Sequence, residues 1–493
     1  MTRFHETMRW KASAVGCLLL ACGLWSTGRA GQIVYPWRAT TAIVKTGQTF
    51  EVWFKADPGQ EVTDARLESQ YKSIATAIRE ISKTEWVYDS QSGNTCNRKI
   101  TVAIPDDAPA DRYALVLTTS RGEEKSPGAV KVVKEFKTEY HIMHISDVHA
   151  YQNTKQYDQV PQFKVSLLAD LANIIDPEIV FFTGDHMYFP NESRINDYYE
   201  GGYKLYGRVM NGLHDFHAAT FEIVGNHDYQ TEKAPGEEPE RIDKIRHWNR
   251  NFGLQAYNFT YGDGRFMVMN NAMGDYRNQT DEAVAWINGA GKGGFRLGAF
   301  HIRGLSDSFH AALKANRTPL TVCLAGHEHN KASGNPWPVN GDPIIYIASA
   351  IRDYMDFNLF KVNAITGACV PVSGPTARVF PLENPPSQTS TDPAAYHPKL
   401  TLSHANPNNG TATTNTATLT NHFDFGISGA RVRFIMKKGI AYSVTEPAVI
   451  TQQFDGDGDT GRVVDVRVEA GANSILKVAI SPASADAGSR NPS

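Results

Sequence analysis

The sequence contains few cysteines. It has five among 493 residues, and two of them, Cys17 and Cys22, lie in an apolar N-terminal stretch. The other three are Cys96, Cys323 and Cys369, too few for the disulfide framework of a small secreted scaffold. At most one bridge fits this count, for example between Cys96 and Cys369. Cys323 lies in the strand-like run T-V-C-L-A, where we expect it to pack as an apolar side chain.

The sequence also lacks dense runs of lysine or arginine. Its formal net charge is −3, which argues against a generic nucleic-acid-binding surface. No apolar run beyond the N-terminal stretch is long enough to span a bilayer, so we expect no transmembrane segment. With 41% hydrophobic and 20% charged residues, the composition is typical of a soluble globular protein. The length predicts about two or three domains.

Residues 1–30 have the pattern of a secretory signal peptide. Three basic residues precede the apolar stretch A-S-A-V-G-C-L-L-L-A-C-G-L-W, and residues 28–30 offer a small-x-small cleavage site. The pattern predicts a secreted or periplasmic protein. Residues 19–22 also loosely resemble a lipobox, which would make Cys22 a lipid anchor. The large Leu20 and the good site ending at Ala30 favour simple cleavage.

Residues 31–136 have the alternation of β-strands. Phe50, Val52 and Phe54 alternate with other residues, and the same pattern recurs near residues 100–104 and 112–117. Short alternating strands separated by Pro, Asp and Gly predict a small N-terminal β-sandwich domain.

Residues 137–380 have a different pattern. The strand-like runs I-V-F-F, F-M-V-M and T-V-C-L-A are continuously apolar, as in a sheet covered on both faces. Between the first strands, Phe163, Leu167, Leu171 and Ile174 recur at helical spacing, and Pro177 ends that helix. Strand, helix and strand in succession predict a layered α/β domain.

The C-terminal part begins after a Pro/Ser/Thr-rich linker, residues 381–399. Alternating apolar residues then predict a second β-sandwich domain, residues 400–482, followed by a disordered tail, residues 483–493. The run Asp455-Gly-Asp457-Gly-Asp459 suggests a calcium loop. An EF-hand loop, however, has Gly at its sixth position and a carboxylate at its twelfth, where this chain has Thr460 and Val466. We favour a hairpin turn.

Five strand-like runs in the central part end in metal-ligating side chains. The runs are I-M-H-I-S-D-V-H with Asp147 and His149, I-V-F-F-T-G-D with Asp185, F-E-I-V-G-N-H-D with Asn226, His227 and Asp228, F-R-L-G-A-F-H with His301, and V-C-L-A-G-H-E-H with His327 and His329. The carboxyl ends of strands in an α/β sheet meet at one edge, so we expect these side chains to converge. Histidine, aspartate and one asparagine suit iron, manganese or zinc, and the number of ligands predicts two ions.

These motifs resemble the calcineurin-like metallophosphoesterase superfamily over about residues 139–378. The resemblance implies a central four-layer α/β/β/α sandwich between the two β-sandwich domains. It also implies two transition-metal ions, of manganese, iron or zinc. The implied ligands of one ion are Asp147, His149, Asp185 and His329, and those of the other are Asp185, Asn226, His301 and His327, with Asp185 bridging.

The resemblance further implies hydrolysis of phosphate mono- or diesters. A hydroxide shared by the ions would attack phosphorus, and protonated His227 would donate to the leaving oxygen while Asp228 orients its ring. The partner is then a small or macromolecular phosphate ester. We also keep a second hypothesis, a catalytically degenerate scaffold or binding module at the cell surface.

Three features leave alternatives open. His301 follows a strand but lacks a longer motif, and His310 lies nearby; the position after F-R-L-G-A-F favours His301. Tyr188 falls where purple acid phosphatases have a tyrosinate ligand, yet this chain keeps His149, so we favour His149 as the ligand and Tyr188 as a wall of the site. Residues that could line the substrate pocket are His186, Tyr188, Arg194, His214, His217, Arg303 and Asn330.

Overall fold

The computed structural model describes residues 32–151, 160–188, 192–202, 204–205, 208–228, 241–272, 285–286, 294–303, 320–329, 344–354, 356–372 and 398–483. The predicted signal peptide, nearly all of the predicted linker and all but the first residue of the predicted tail lie outside these ranges. The described chain is a mixed α/β structure built mostly of strands. No described helix combines the length and apolar character needed to cross a membrane.

The N-terminal segment, residues 32–133, is built from strands. They are β1 Gln32–Tyr35, β2 Ala42–Lys45, β3 Thr49–Lys55, β4 Val62–Glu68, β5 Ser73–Ala75, β6 Ala77–Ser82, β7 Trp86–Asp89, β8 Asn94–Cys96, β9 Arg98–Ala103, β10 Arg112–Thr119 and β11 Gly122–Val133. One sheet has the order β1-β3-β9-β6 and another β2-β11-β10-β4-β5, while β7 and β8 form a separate pair. The alternation predicted from Phe50 to Phe54 is present, since all three apolar residues are buried and Glu51 and Trp53 are not. The buried faces of the two larger sheets share one hydrophobic cluster.

The central segment begins with β12 Glu139–Ile145. Its remaining elements are α1 Val160–Ile175, β13 Ile179–Phe182, α2 Glu192–Glu200, β14 Lys204–Leu205, β15 Arg208–Val209, a 3₁₀ turn Leu213–Asp215, β16 Ala219–Glu222, α3 Arg241–Asn251, β17 Tyr257–Tyr261, β18 Gly264–Val268, β19 Arg296–Ala299, β20 Val322–Ala325, β21 Ile344–Ile347, α4 Ile351–Tyr354, β22 Asn358–Asn363 and β23 Ala368–Pro371. Helix α1 ends two residues before Pro177, as predicted.

Two five-stranded sheets position the polar ends of the central strands. The first has the order β16-β13-β12-β22-β23, in which β12, β13 and β16 run parallel. The second has the order β17-β18-β19-β20-β21, in which β18 to β21 run parallel. The carboxyl ends of the parallel strands therefore lie together at one edge of each sheet.

The first central sheet is buried on both faces, which explains its continuously apolar strands. All four residues of β13, I-V-F-F, are buried. Phe182 packs in the cluster that includes α1. Its neighbour Phe181 packs in the cluster of the second sheet, with its ring 6.1 Å from that of Phe266. Successive side chains of one strand thus contact a helix on one side and a sheet on the other.

The C-terminal segment, residues 398–483, is also built from strands. They are β24 Leu400–His404, β25 Asn415–Asn421, β26 Ile427–Met436, β27 Tyr442–Val444, β28 Val449–Asp455, β29 Arg462–Ala470 and β30 Ser474–Pro482. The two sheets have the orders β24-β25-β30-β27 and β26-β29-β28. Their buried residues join the cluster that contains α1, so this segment packs its apolar core against the central segment.

Two minor expectations are decided by the structure. Residues 456–461 connect the antiparallel strands β28 and β29, so the Asp-Gly run is a hairpin turn, as favoured above. Its Asp457 accepts hydrogen bonds from Lys72 Nζ and the Ser73 backbone.

The bridge between Cys96 and Cys369 is not formed, because both are free thiols. Burial raises the pKa of each to about 12, which disfavours the thiolate needed for exchange.

Seven charged or ionisable side chains connect the three segments, and we call them the charge cluster: Asp111, Lys131, Asp176, His217, Arg431, Arg433 and Asp465. Arg433 binds Asp465 through two hydrogen bonds of 2.7 and 2.8 Å and Asp111 through one of 3.0 Å. His217 Nδ1 lies 2.8 Å from an Asp176 carboxylate oxygen, and its Nε2 lies 3.3 Å from one of Asp111. N-terminal, central and C-terminal residues thus share one set of buried charges.

Candidate metal centre

The candidate ligands lie in tight loops that directly follow the parallel strands. Five of them have left-handed backbone conformations, which non-glycine residues adopt rarely and mostly at functional positions. Their φ values are 51° for Asp147, 52° for His149, 54° for Asp185, 69° for His327 and 53° for His329. These loops turn back at the sheet edge and bring the side chains into one region.

Glycines allow the loops to approach each other closely. A Cβ at Gly326 would overlap Ser146 Oγ and approach Asp147 Oδ2. A Cβ at Gly184, where φ is +94°, would overlap the imidazole of His301. Gly184 and Gly326 therefore have a packing reason, because only a residue without a side chain lets these loops from the two sheets approach so closely.

Four candidate ligands converge in the first group, Asp147, His149, Asp185 and His329. His329 Nε2 lies 3.3 Å from Asp147 Oδ1. His149 Nε2 lies 3.6 Å from the same oxygen and 3.7 Å from Asp185 Oδ2. Three of the residues are buried and His329 is half-buried. The grouping is the one predicted from the motifs.

The second group shares Asp185 with the first and adds His301 and His327. His301 Nε2 lies 3.3 Å from Asp185 Oδ2. Asn226 Oδ1 lies 3.0 Å from His301 Nε2 and 2.9 Å from His327 Nδ1. The structure thus brings His301 to the predicted position, while His310 lies outside the described residues.

The atoms at the centre of these groups lack the hydrogen bonds that buried polar atoms need. Asp147 Oδ1 and Asp185 Oδ2 are both buried without a hydrogen-bond partner. In addition, His149 Nε2 and His329 Nε2 face each other at 3.0 Å, which places two lone pairs in opposition unless a proton or a cation lies between them. Unpaired carboxylate oxygens and facing imidazole nitrogens fit divalent transition-metal ions.

The electrostatics of the protein groups agree with that fit. Burial opposes ionisation of Asp147, but the nearby imidazoles of His149 and His329 outweigh it and hold the Asp147 pKa well below the usual range. Burial also opposes the charged form of His301, but Asp185 outweighs it and raises the His301 pKa to about 9. Burial lowers the pKa of His149. The site therefore stabilises positive charge, because ionised carboxylates lie beside a histidine whose pKa is raised.

The outer contacts orient the His301 ring. His301 Nδ1 lies 2.6 Å from the Thr183 carbonyl oxygen, so Nδ1 is the donor and Nε2 points towards Asp185. Thr183 Oγ1 in turn lies 2.9 Å from Nε2 of the buried His144. Such a carbonyl partner fixes the ring and the tautomer of a ligating histidine.

Asp228 has a different set of partners from the one predicted. Its Oδ2 accepts hydrogen bonds from the backbone N–H groups of Gly225 and Asp185, at 2.8 and 3.0 Å. Its Oδ1 accepts from those of His186 and Met187, at 2.7 and 3.2 Å. Both oxygens therefore hold the two neighbouring loops together.

Tyr188 packs directly against the His227 ring. The two rings stack with centroids 4.3 Å apart, and Tyr188 Oη lies 3.1 Å from His227 Nε2. The His227 backbone N–H donates to Asp185 Oδ1 at 2.8 Å. Burial and the nearby Asp185 charge raise the Tyr188 pKa to about 12. Tyr188 thus forms a wall beside the site.

The other residues suggested for the pocket are dispersed. His186 is buried, with Nε2 2.9 Å from the Ile223 carbonyl oxygen, and His217 belongs to the charge cluster. His214 stacks on Tyr199. The guanidinium of Arg194 lies over the Tyr151 ring. Arg303 is half-buried in the loop after His301, and Asn330 lies outside the described residues.

Sequence reasoning missed Arg352. Its backbone N–H donates to the Asp147 carbonyl at 3.2 Å, and its Nη2 lies 3.0 Å from His329 Nδ1. It follows β21 as the first turn of α4. The available signal was weak: an apolar strand, I-I-Y-I, followed within a few residues by Arg352-Asp353, without the histidine that marks the other loops.

One of three comparisons with known proteins supports this site. Residues 140–331 match the family model described as calcineurin-like phosphoesterase. The comparison with curated proteins gave no match. Among solved structures, a dimetal phosphatase from Danio rerio is 10% identical, with a TM-score of 0.29, covering 47% of this chain and 98% of that one. A Thermotoga maritima protein is also 10% identical, with a TM-score of 0.23, covering 47% of this chain and 96% of that one. TM-scores this low carry no inference, so the assignment depends on the family model and the motifs.

Proposed function

We propose that the protein is a metal-dependent phosphoric ester hydrolase with two transition-metal ions, since residues 140–331 match the calcineurin-like phosphoesterase family model. The observation that carries the proposal is the convergence of Asp147 and Asp185, whose unpaired buried oxygens face histidine nitrogens. Asp147, His149, Asp185 and His329 hold one ion. Asp185, Asn226, His301 and His327 would hold the other, as the motifs imply and the contacts above support.

Bound ions supply activation of water near neutral pH and offset the charge of phosphate oxygens. The chain itself supplies the proton donor. His227 lies at the edge of the first group, with Nε2 3.9 Å from Asp185 Oδ2, and it is half-buried where a substrate can reach it. It donates a proton to the leaving-group oxygen, a role worth about 10²- to 10⁴-fold in rate.

Tyr188 and Asp228 support His227 in different ways. The Tyr188 ring fixes the plane of the imidazole by stacking on it. Asp228 acts on the loops: its four backbone hydrogen bonds join residues 185–187 to residue 225, so that Asp185 and His227 keep their separation. This differs from the predicted role, in which Asp228 orients the His227 ring.

The proposal also covers the domain architecture and the location of the protein. Coverage of the first sheet by α1 on one face and the second sheet on the other supports a four-layer α/β/β/α domain at residues 137–380. Sheets that close within residues 31–136 and 400–482 support two flanking β-sandwich domains. The leader pattern of residues 1–30 supports secretion or a periplasmic location, where the substrate is an external phosphate mono- or diester.

A panel of phosphate esters tests the function. The protein is stripped of metal, reconstituted separately with manganese, iron and zinc, and assayed on chromogenic mono- and diesters. We expect about two metal ions per chain and metal-dependent hydrolysis of at least one ester class. Two bound ions without hydrolysis of any ester would instead identify a degenerate scaffold, and failure to bind metal would refute the site.

A further inference from the structure

A cleft of about 950 Å³ lies between the N-terminal segment and helices α2 and α3. One wall comes from β1, the end of β3 and the β7–β8 pair, and the other from residues 192–196 and 246–251. Its volume is that of a small-molecule site. None of its lining residues is a candidate metal ligand, so it is a second site on the molecule.

The charge of the cleft is unbalanced. Its lining includes four cationic side chains, Arg38, Lys55, Arg246 and Arg250, against the carboxylates of Asp57 and Glu192. Asp57 already pairs with Arg121 at 3.0 Å. Among the described residues, Lys55 and Arg250 have no carboxylate within ion-pair distance, and both are exposed. Uncommitted cations on both walls favour an anionic ligand.

The cleft also contains polar atoms without partners. Asn249 is 3% exposed, and its Oδ1 accepts no hydrogen bond. Arg38 Nε is likewise buried without an acceptor, although its Nη2 donates to Asn196 Oδ1 at 2.7 Å. These two residues of the lining therefore carry buried polar atoms that the described protein leaves unsatisfied.

Two aromatic rings complete the lining. Trp37 and Tyr88 both line the cleft and are half-buried. Aromatic faces bind the C–H faces of sugar rings by dispersion and apolar burial, while amides bind the ring hydroxyls. Asn94, Asn196 and Asn251 add further amide groups to the same lining.

We propose that this cleft binds an anionic oligosaccharide, with the acidic groups at Lys55 and Arg250 and the sugar rings against Trp37 and Tyr88. The carboxylates of uronic acids and sulfate esters share the required chemistry. The proposal is independent of the phosphoesterase function, because none of its residues contributes to the metal centre.

Isothermal titration calorimetry of the full chain tests the proposal with three probes in EDTA, so that binding to metal is removed. Trigalacturonate carries rings and carboxylates, maltotriose carries rings alone, and sulfate is an anion alone. We expect trigalacturonate to bind at least about tenfold more tightly than either other probe, an affinity ratio that corresponds to about 1.4 kcal/mol. Glucose 6-sulfate then distinguishes sulfated sugars from uronic acids as the preferred source of the anion.

The double variant Lys55→Ala/Arg250→Ala should lose at least about tenfold in trigalacturonate affinity and leave ester hydrolysis unchanged. Arg79→Ala/Lys477→Ala is the matched control, since it removes an exposed arginine and an exposed lysine elsewhere. Equal affinity for maltotriose and trigalacturonate would overturn the proposal. Absence of binding by the unaltered protein, or equal losses in both double variants, would overturn it too. Hydrolysis without sugar binding would leave the phosphoesterase proposal intact.

Discussion

Replacing Arg433 by methionine tests whether buried charges hold the three segments together. Arg433 bonds Asp465 twice and Asp111 once, and the two carboxylates are only 4% and 6% exposed. Removing the guanidinium leaves both carboxylates buried with fewer partners. Breaking a buried pair in this way costs about 3–5 kcal/mol. Gln452 still donates to Asp465 at 2.7 Å, and His217 still approaches Asp111, so we expect about 3 kcal/mol.

The assay is hydrogen exchange of the backbone amides in β26 and β29, because a three-segment protein need not unfold in one step. A loss of about 3 kcal/mol corresponds to exchange about 100-fold faster. Arg462→Met is the control, since Arg462 pairs with an Asp455 side chain that is 44% exposed. An exposed pair contributes about 0–1 kcal/mol. If Arg433→Met accelerates exchange no more than Arg462→Met, the charge cluster does not stabilise the assembly.

The pH dependence provides a second check. Burial opposes ionisation of Asp111 and Asp465, but Arg433 outweighs it and holds the pKa of each below its usual value. A depressed carboxyl pKa contributes stability above the unfolded value, near pH 4, and that stability is lost as the pH falls towards the folded pKa. The deficit of Arg433→Met should therefore be largest at neutral pH and shrink in acid. A deficit that grows on acidification would contradict the reasoning.

Substitutions at four further positions test the candidate metal centre and the core. Asp185→Asn should reduce both bound ions together, measured by elemental analysis, because its carboxylate belongs to both ligand groups. His227→Asn should keep the ions and lower kcat by about 10²- to 10⁴-fold for an ester with a poor leaving group. Tyr188→Phe keeps the stacked ring and should keep kcat within about threefold, whereas Tyr188→Ala should lose at least about tenfold. Glu222→Gln should stabilise the protein by about 3 kcal/mol at pH 8, since burial raises the Glu222 pKa from 4.5 to about 7.

Each of these outcomes has an opposite that would refute its premise. An Asp185→Asn protein with two tightly bound ions would show that this carboxylate does not bridge. Near-normal turnover by His227→Asn would show that His227 is not the proton donor. Loss of metal in Tyr188→Phe would show that Tyr188 is a ligand. Because the Glu222 pKa is raised in the folded state, its carboxyl lowers stability as the pH rises from about 4.5 to 7. The stability gained by Glu222→Gln must therefore disappear below pH 4.5. A stability gain that does not change with pH would contradict the raised pKa of Glu222.

The convergence of the candidate ligands could be predicted from sequence because their positions obey local rules. Asp147, Asp185 and His327 each follow an apolar run after one or two small residues. The carboxyl ends of parallel strands converge whatever the length of the connections. The left-handed φ values of these residues explain why short loops suffice. The burial of Phe181 and Phe182 could be predicted equally well, because a strand that is apolar at every position must be covered on both faces.

The role of Asp228 could not be predicted in the same way, because sequence adjacency is a poor guide to side-chain direction. Asp228 follows His227 directly, which suggests a pair, yet the loop turns the carboxylate towards the backbone of residues 185–187. A carboxylate that accepts several backbone N–H groups organises loops without showing any distinctive spacing. Tyr188 could be singled out from the sequence because it falls where purple acid phosphatases have a tyrosinate ligand.

The charge cluster could not be predicted from the sequence, and its chemistry explains why. Asp111, Asp176 and Arg433 lie in three different segments, and each alone has the pattern of an ordinary surface residue. Burial converts them into obligatory partners only after the segments have packed, since an unpaired charge there would be strongly destabilising. The flanking segments are therefore matched to the central one by charge as well as by apolar contact. A flanking segment expressed without the central one would expose unpaired members of the cluster, and Arg433→Met tests that dependence inside the intact chain.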